Sequence, residues 1–201
     1  MAVSPTQLII QQAGIKAFFR PRDVKSLGVT YYQIQRMVAE GVAEKAGAGL
    51  FRLTDAAVTE METIAMVASA VPHAIVCLLS ALRVHDIGTQ SPRQVWLAID
   101  RKARRPTRVP AAIRVVRFSG QMLSYGVSTQ SMQGVPVRIT SPARTVVDCF
   151  RYRNKIGLDV AIEALKDAVR SKKAMIGEID RAAEVCRIRT VMAPYLEALS
   201  V

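Results

Sequence analysis

The chain has 201 residues, half of them hydrophobic, with 28 lysines and arginines against 16 acidic residues and a formal charge of +12. This composition excludes a disordered chain, and the length suits one large domain or two small ones with a substantial core. A charge this positive points to an anionic partner, most simply nucleic acid.

The three cysteines, Cys77, Cys149 and Cys186, form no C-x-x-C pair. Neither a disulfide framework nor a zinc site is expected, and an odd count suits a reducing cytoplasm. The opening MAVSPTQ lacks a charged segment followed by an apolar core, and the apolar stretch 64–82 is interrupted by Pro72 and His73. The expectation is a cytoplasmic protein with neither signal peptide nor membrane span. The charge is uneven. Residues 101–154 hold eleven basic residues and a single acidic one, Asp148.

Taken in order, Ser4-Pro5 is a helix start, with Ser4 as N-cap and Pro5 in the first turn. Leu8, Ile9 and Ile15 are the expected apolar positions, and Phe18 and Phe19 are expected to plug the core. A short helix is predicted over 21–27, begun by Pro21 and ended by a left-handed Gly28. Thr30 is then an N-cap, with Gln33 at capping-box spacing, for a second helix over 31–40 that stops at Gly41. Tyr31, Ile34, Met37 and Val38 share one face of a 3.6-residue period, the face expected to pack inward. Strands follow at 42–45 and 50–53, around a hairpin whose Gly47 and Gly49 allow positive φ.

Helix, turn, helix and hairpin in this order predict a winged helix-turn-helix. The second helix fits a DNA major groove. Its candidate base-reading residues are Thr30, Tyr31, Tyr32, Gln33 and Arg36, and Arg20, Arg22, Lys45 and Arg52 are candidate contacts of the wing and backbone. Against this stands a structural reading in which the same elements only pack for stability, since Glu40 offsets the charge of Arg36.

Thr54-Asp55 begins another helix, running to about residue 70, with Met61, Ile64, Ala65, Val67 and Ala68 as its apolar stripe. The domain boundary is placed there, dividing 1–54 from 55–201 without a flexible linker. A buried run covers 74–79, a helix 80–85, and a strand 94–99 rich in Val, Trp and Ile. The loop 101–108 carries Arg101, Lys102, Arg104, Arg105 and Arg108, a secondary basic surface that is either a solvated turn or a phosphate-contacting arm. A strand over 113–118 adds Arg114 and Arg117 on opposite faces. A hairpin across Gln133-Gly134 follows, and then a helix over 143–152 capped by Ser141-Pro142, with Arg144 and Asp148 spaced to pair. The rest is helical. The fold class is therefore α+β: a winged helix-turn-helix, then a mixed α/β domain ending in a small helical bundle.

Three parts of the sequence resemble the AbiEi antitoxin family of type IV toxin–antitoxin systems. The first is the run RPRDVKSLGVTYYQIQRMVAEGVAEKAGAGLFRL, the second the S-A-L-x-x-H of Ser80, Ala81, Leu82 and His85, and the third the stretch of Thr140, Pro142, Arg144, Thr145 and Asp148. The resemblance implies a transcriptional autorepressor that binds double-stranded operator repeats upstream of its own operon, as a monomer or weak dimer. It further implies an antitoxin opposing a nucleotidyltransferase toxin without a stable complex. The alternative is an orphan DNA-binding regulator of the same architecture, without a toxin.

The rival from another class is a metal-dependent nuclease using Asp86, Asp100 and Lys102, since such a site needs two carboxylates on a metal and a lysine near the attacking water. A module binding an acidic protein is a third reading. His73, Cys77 and His85 lack a fourth metal ligand, and a hydrogen-bonded structural role is expected of His85. No catalytic residue, no metal and no cofactor is expected.

Overall fold

The computed structural model describes residues 5–12, 18–47, 49–55 and 60–199. The described chain is α+β, with two sheets, and divides into two compact units. The first comprises residues 1–72 with segments 106–111 and 130–137, and the second comprises 73–105, 112–129 and 138–201.

The first unit opens with α1 (Pro5–Gln12) and β1 (Phe18–Phe19). Helix α2 (Pro21–Val24) runs into a 3-10 turn over Lys25–Leu27. Gly28 ends it at φ 78°, the left-handed conformation that a glycine adopts without steric cost. Helix α3 (Tyr31–Ala39), strands β2 (Ala43–Gly47) and β3 (Leu50–Leu53), and α4 (Glu60–Ala70) complete the unit.

The three strands form an antiparallel sheet in the order β1-β3-β2, with a register irregularity between Lys45 and Gly47. The buried core joins Ile10, Phe19, Val24, Ile34, Met37, Phe51 and Leu53. Phe18 and Phe19 are in the core as expected, but as a strand paired with β3, which lends the hairpin a third strand. The reading of α1 is corrected. Leu8 and Ile9 are exposed and Ile10 is the buried residue, because a short helix can turn only one of three successive side chains toward Ile34 and Met37. Ser4 and Ile15 lie outside the described residues.

The first unit runs past the expected boundary at 54. The Thr54 hydroxyl donates to the carbonyls of Gly41 and Val42, closing the end of the hairpin, and the helix start expected just after it lies outside the described residues. Beyond it, Ile64, Ala65, Val67 and Ala68 of α4 are buried, and Glu62 reaches back to Arg52 of β3.

The second unit carries a five-stranded mixed sheet in the order β6-β5-β4-β8-β7. Its strands are β4 (Ile75–Val76), β5 (Val95–Asp100), β6 (Ile113–Phe118), β7 (Val127–Met132) and β8 (Val135–Thr140). β5 runs antiparallel to β4 and parallel to β6, and β4 runs parallel to β8. Val95 to Ile99 are all buried, as a strand covered on both faces requires. The parallel pairing of β5 and β6 demands a long crossover, made here by the irregular basic segment instead of a helix.

Helices α5 (Leu78–Val84), α6 (Pro142–Arg151), α7 (Arg153–Ile156), α8 (Leu158–Arg170), α9 (Ile176–Val185) and α10 (Arg189–Glu197) supply the rest. They share one core with the sheet, including Trp96, Phe118, Val147, Phe150, Leu165 and Ile179. No described helix is long and apolar enough to cross a membrane.

Candidate nucleic-acid interface

Helix α3 is set on its core face by Ile34 and Met37, at 0% and 1% exposure. Its start is fixed by a reciprocal cap. Gln33 N donates to Thr30 Oγ1 at 3.3 Å, and Thr30 N donates to Gln33 Oε1 at 2.7 Å. This arrangement engages two of the candidate base-reading residues, Thr30 and Gln33, in the cap. Both side chains already satisfy the orphan amides of the helix N-terminus, and Gln33 is half-buried.

Tyr31 also departs from its expected inward place. It is 59% exposed, with its ring centroid 6.4 Å from that of Phe51 in an edge-on arrangement, so it roofs the core instead of entering it. Tyr32 is 76% exposed. Arg36 is exposed, and its Nε lies 2.7 Å from Glu40 Oε1 in an i,i+4 ion pair.

Among the candidate backbone contacts, Lys45 of β2 and Arg22 of α2 are exposed. Arg20 is half-buried and donates from Nε to Ser69 Oγ at 3.2 Å. Arg52 is overturned as an open phosphate ligand. Its side chain is largely enclosed between two carboxylates, Glu44 Oε1 at 2.7 Å from Nη1 and Glu62 Oε1 at 2.8 Å from Nε. A guanidinium so neutralised carries little net attraction for a phosphate.

Arg101, Lys102, Arg104 and Arg105 of the second unit and Arg108 of the first are all exposed. The foot of their loop is built tightly. Asp100 Oδ1 accepts from Lys102 N at 2.7 Å, and Ala103 N donates to Asp100 O at 3.0 Å. Arg117 Nη1 donates to the carbonyls of Asp100 and Ala103, so this arginine shapes the loop. Arg114 lies over the Trp96 ring at 5.0 Å.

The residues of the nuclease reading are occupied otherwise. The Asp86 carboxylate meets Lys173 Nζ at 3.1 Å, and Asp100 closes the turn just described. Among the described residues, no three of His, Cys, Asp and Glu gather as a metal site.

The two segments that carry the second-domain resemblance converge on Thr140. His85 Nε2–H donates to Thr140 O at 2.6 Å, and Thr145 Oγ1 lies 2.7 Å from Thr140 Oγ1. Burial lowers the His85 pKa against the pull of the Thr140 carbonyl, which as an acceptor requires a proton on Nε2. Ser80 Oγ accepts from Trp96 N at 2.9 Å. Below them, Arg144 and Asp148 are both fully buried, 3.0 Å apart. Arg144 also donates to the carbonyls of Tyr125 and Met122 and lies 4.9 Å from the Phe118 ring. Burial pushes the Asp148 carboxyl up to about 6, against the pull of Arg144. The expected ion pair is formed, but inside the core and not on a helix surface. Nothing in an i,i+4 spacing encodes that depth.

No family model matches the chain, and no curated protein does. Among solved structures, the fold is similar to the crystal structure of the RV2827C protein from Mycobacterium tuberculosis. The two are 12% identical over 91% of this chain and 75% of that one, with a TM-score of 0.57. At that identity the likeness bears on the fold alone.

Proposed function

We propose that the chain is a sequence-specific, double-stranded-DNA-binding transcriptional repressor, whose first unit acts as a winged helix-turn-helix with α3 as the recognition helix. The observation that carries this is the outer side of α3. It holds exposed Tyr31, Tyr32 and Arg36 on a capped, core-anchored helix followed directly by a hairpin bearing Lys45, in a chain of charge +12. Such a helix suits the major groove, and the cations suit the backbone. Arg101, Lys102, Arg104, Arg105 and Arg108 extend the phosphate contact. On the sequence resemblance to AbiEi proteins, the repressed operon is its own. The same chain then opposes a nucleotidyltransferase toxin without forming a stable complex.

Fluorescence anisotropy with DNA from upstream of its own gene, against scrambled DNA of equal length at several salt concentrations, tests the reading. Tighter binding to the upstream DNA, lost with Tyr32→Ala/Arg36→Ala, is the expected result. Equal binding to both probes would replace the repressor with a general polyanion binder. The antitoxin half is tested separately, by restored growth on co-expression with a nucleotidyltransferase encoded beside it.

A further inference from the structure

Successive residues of a helix turn by about 100°. With Ile34 and Met37 marking the inward direction of α3, the opposite side belongs to Tyr32, Gln35, Arg36 and Ala39, all exposed. Ala39 brings no polar group, and Arg36 is held by Glu40. Gln33 stands beside Met37 and is engaged with Thr30. Two side chains then remain for reading. Tyr32 is the most exposed of the tyrosines, phenylalanines and Trp96, and the Gln35 amide meets no hydrogen-bond partner among the described residues. At i and i+3 they are neighbours on one turn.

We propose that α3 recognises A·T pairs in the major groove through Tyr32 and Gln35, an inference that rests on the DNA-binding reading above. The chemistry of the two side chains agrees. A glutamine amide offers a donor and an acceptor side by side, matching N6–H and N7 of adenine, and an apolar ring surface fits the C5 methyl of thymine. Arg36 would read guanine only by leaving Glu40. With that pair intact it serves orientation, and the selected base pairs are A·T.

The test starts from a random-sequence duplex DNA pool, with the full chain selecting its preferred sites at fixed salt. The expected consensus holds A·T pairs at adjacent positions. Replacing its thymines by deoxyuridine removes only the methyl groups, and weakens binding about three- to five-fold per contacted base. Replacing adenine by 7-deazaadenine or making Gln35→Ala weakens binding roughly ten-fold, and the two losses do not add. Tyr32→Ala removes the deoxyuridine effect, whereas Tyr32→Phe keeps it. Both positions are exposed, so these variants are expected to fold, which circular dichroism checks.

A G·C consensus that depends on Arg36 and not on Gln35 would overturn the inference while leaving the repressor reading intact. Loss of binding with Tyr32→Phe as large as with Tyr32→Ala would overturn it too, by making the hydroxyl a phosphate ligand. No enrichment over the starting pool would overturn the repressor reading itself, and this inference with it.

Discussion

Arg52 Nε of β3 lies 2.8 Å from Glu62 Oε1 of α4, and the two side chains are only 14% and 10% exposed. The pair ties the fourth helix to the hairpin and explains why the first compact unit reaches residue 72. It also turns a residue that looks like a wing cation into a packing element. Arg52→Ala strands the buried Glu62 carboxylate with little water to solvate it and is expected to lower stability by about 2–4 kcal/mol, whereas Glu62→Ala leaves Arg52 its second carboxylate, Glu44, and is expected to cost less. Arg52→Gln is expected to leave the salt dependence of DNA binding unchanged. Urea denaturation and a salt titration check the two halves. A flatter salt slope with stability intact would return Arg52 to the interface.

Arg144 and Asp148 make the same argument at greater depth. Both are sealed at 0% exposure, and Arg144 satisfies two backbone carbonyls besides the carboxylate. Asp148→Ala or Arg144→Met alone is expected to cost about 3–5 kcal/mol, because each leaves an uncompensated buried charge. Arg144→Met/Asp148→Leu together is expected to cost less than the sum of the two single changes. Chemical denaturation of all four proteins gives the coupling directly, and simple additivity would show that the pair does not act as a unit.

The pH dependence follows from the same carboxyl. One oxygen, Asp148 Oδ2, is buried with no hydrogen-bond partner among the described residues, and burial raises the folded-state pKa to about 6 from an ordinary 3.8. The folded state therefore holds this proton more tightly than the unfolded chain. Its stabilisation is fully present below about pH 4 and is lost as pH rises through 6. Thermal melts of wild type relative to Asp148→Asn should show the wild type losing ground from pH 4 to pH 6 and a constant difference above. A difference that grows in favour of the wild type over that range would mean that Arg144 holds the carboxyl ionised.

Much of this was legible in the residues because local chemistry decides it. Gly28 and Gly41 mark the helix ends, Thr30 and Gln33 make the cap, and Gln133-Gly134 turns the hairpin between β7 and β8, with φ 52° and 80°. What failed was everything set by distant contact. Arg52 was unreadable without Glu62, the inward residue of α1 without Ile34, and the depth of Arg144 without the carbonyls of Met122 and Tyr125. The outward place of Gln35 is legible from local spacing, since the helical period that puts Ile34 and Met37 inside puts Gln35 outside.

The basic crossover between β5 and β6 gives the last prediction. Arg101, Lys102, Arg104, Arg105 and Arg108 are exposed, while Arg117 fastens the carbonyls of Asp100 and Ala103 at the foot of the loop. Each phosphate neutralised on a duplex contributes about −0.9 to the slope of log K against log salt. Neutralising all five residues to glutamine should flatten that slope by up to about 4.5 if every one meets a phosphate. The choice of sequence should be unchanged, since phosphate contacts carry no base information. Arg117→Gln should flatten the slope as well, indirectly, by loosening the turn that presents its neighbours. Anisotropy titrations from 50 to 300 mM salt on specific and scrambled duplexes resolve these effects. A slope identical to wild type in the five-residue variant would make the segment a solvated turn and leave the phosphate contacts to Arg22 and Lys45.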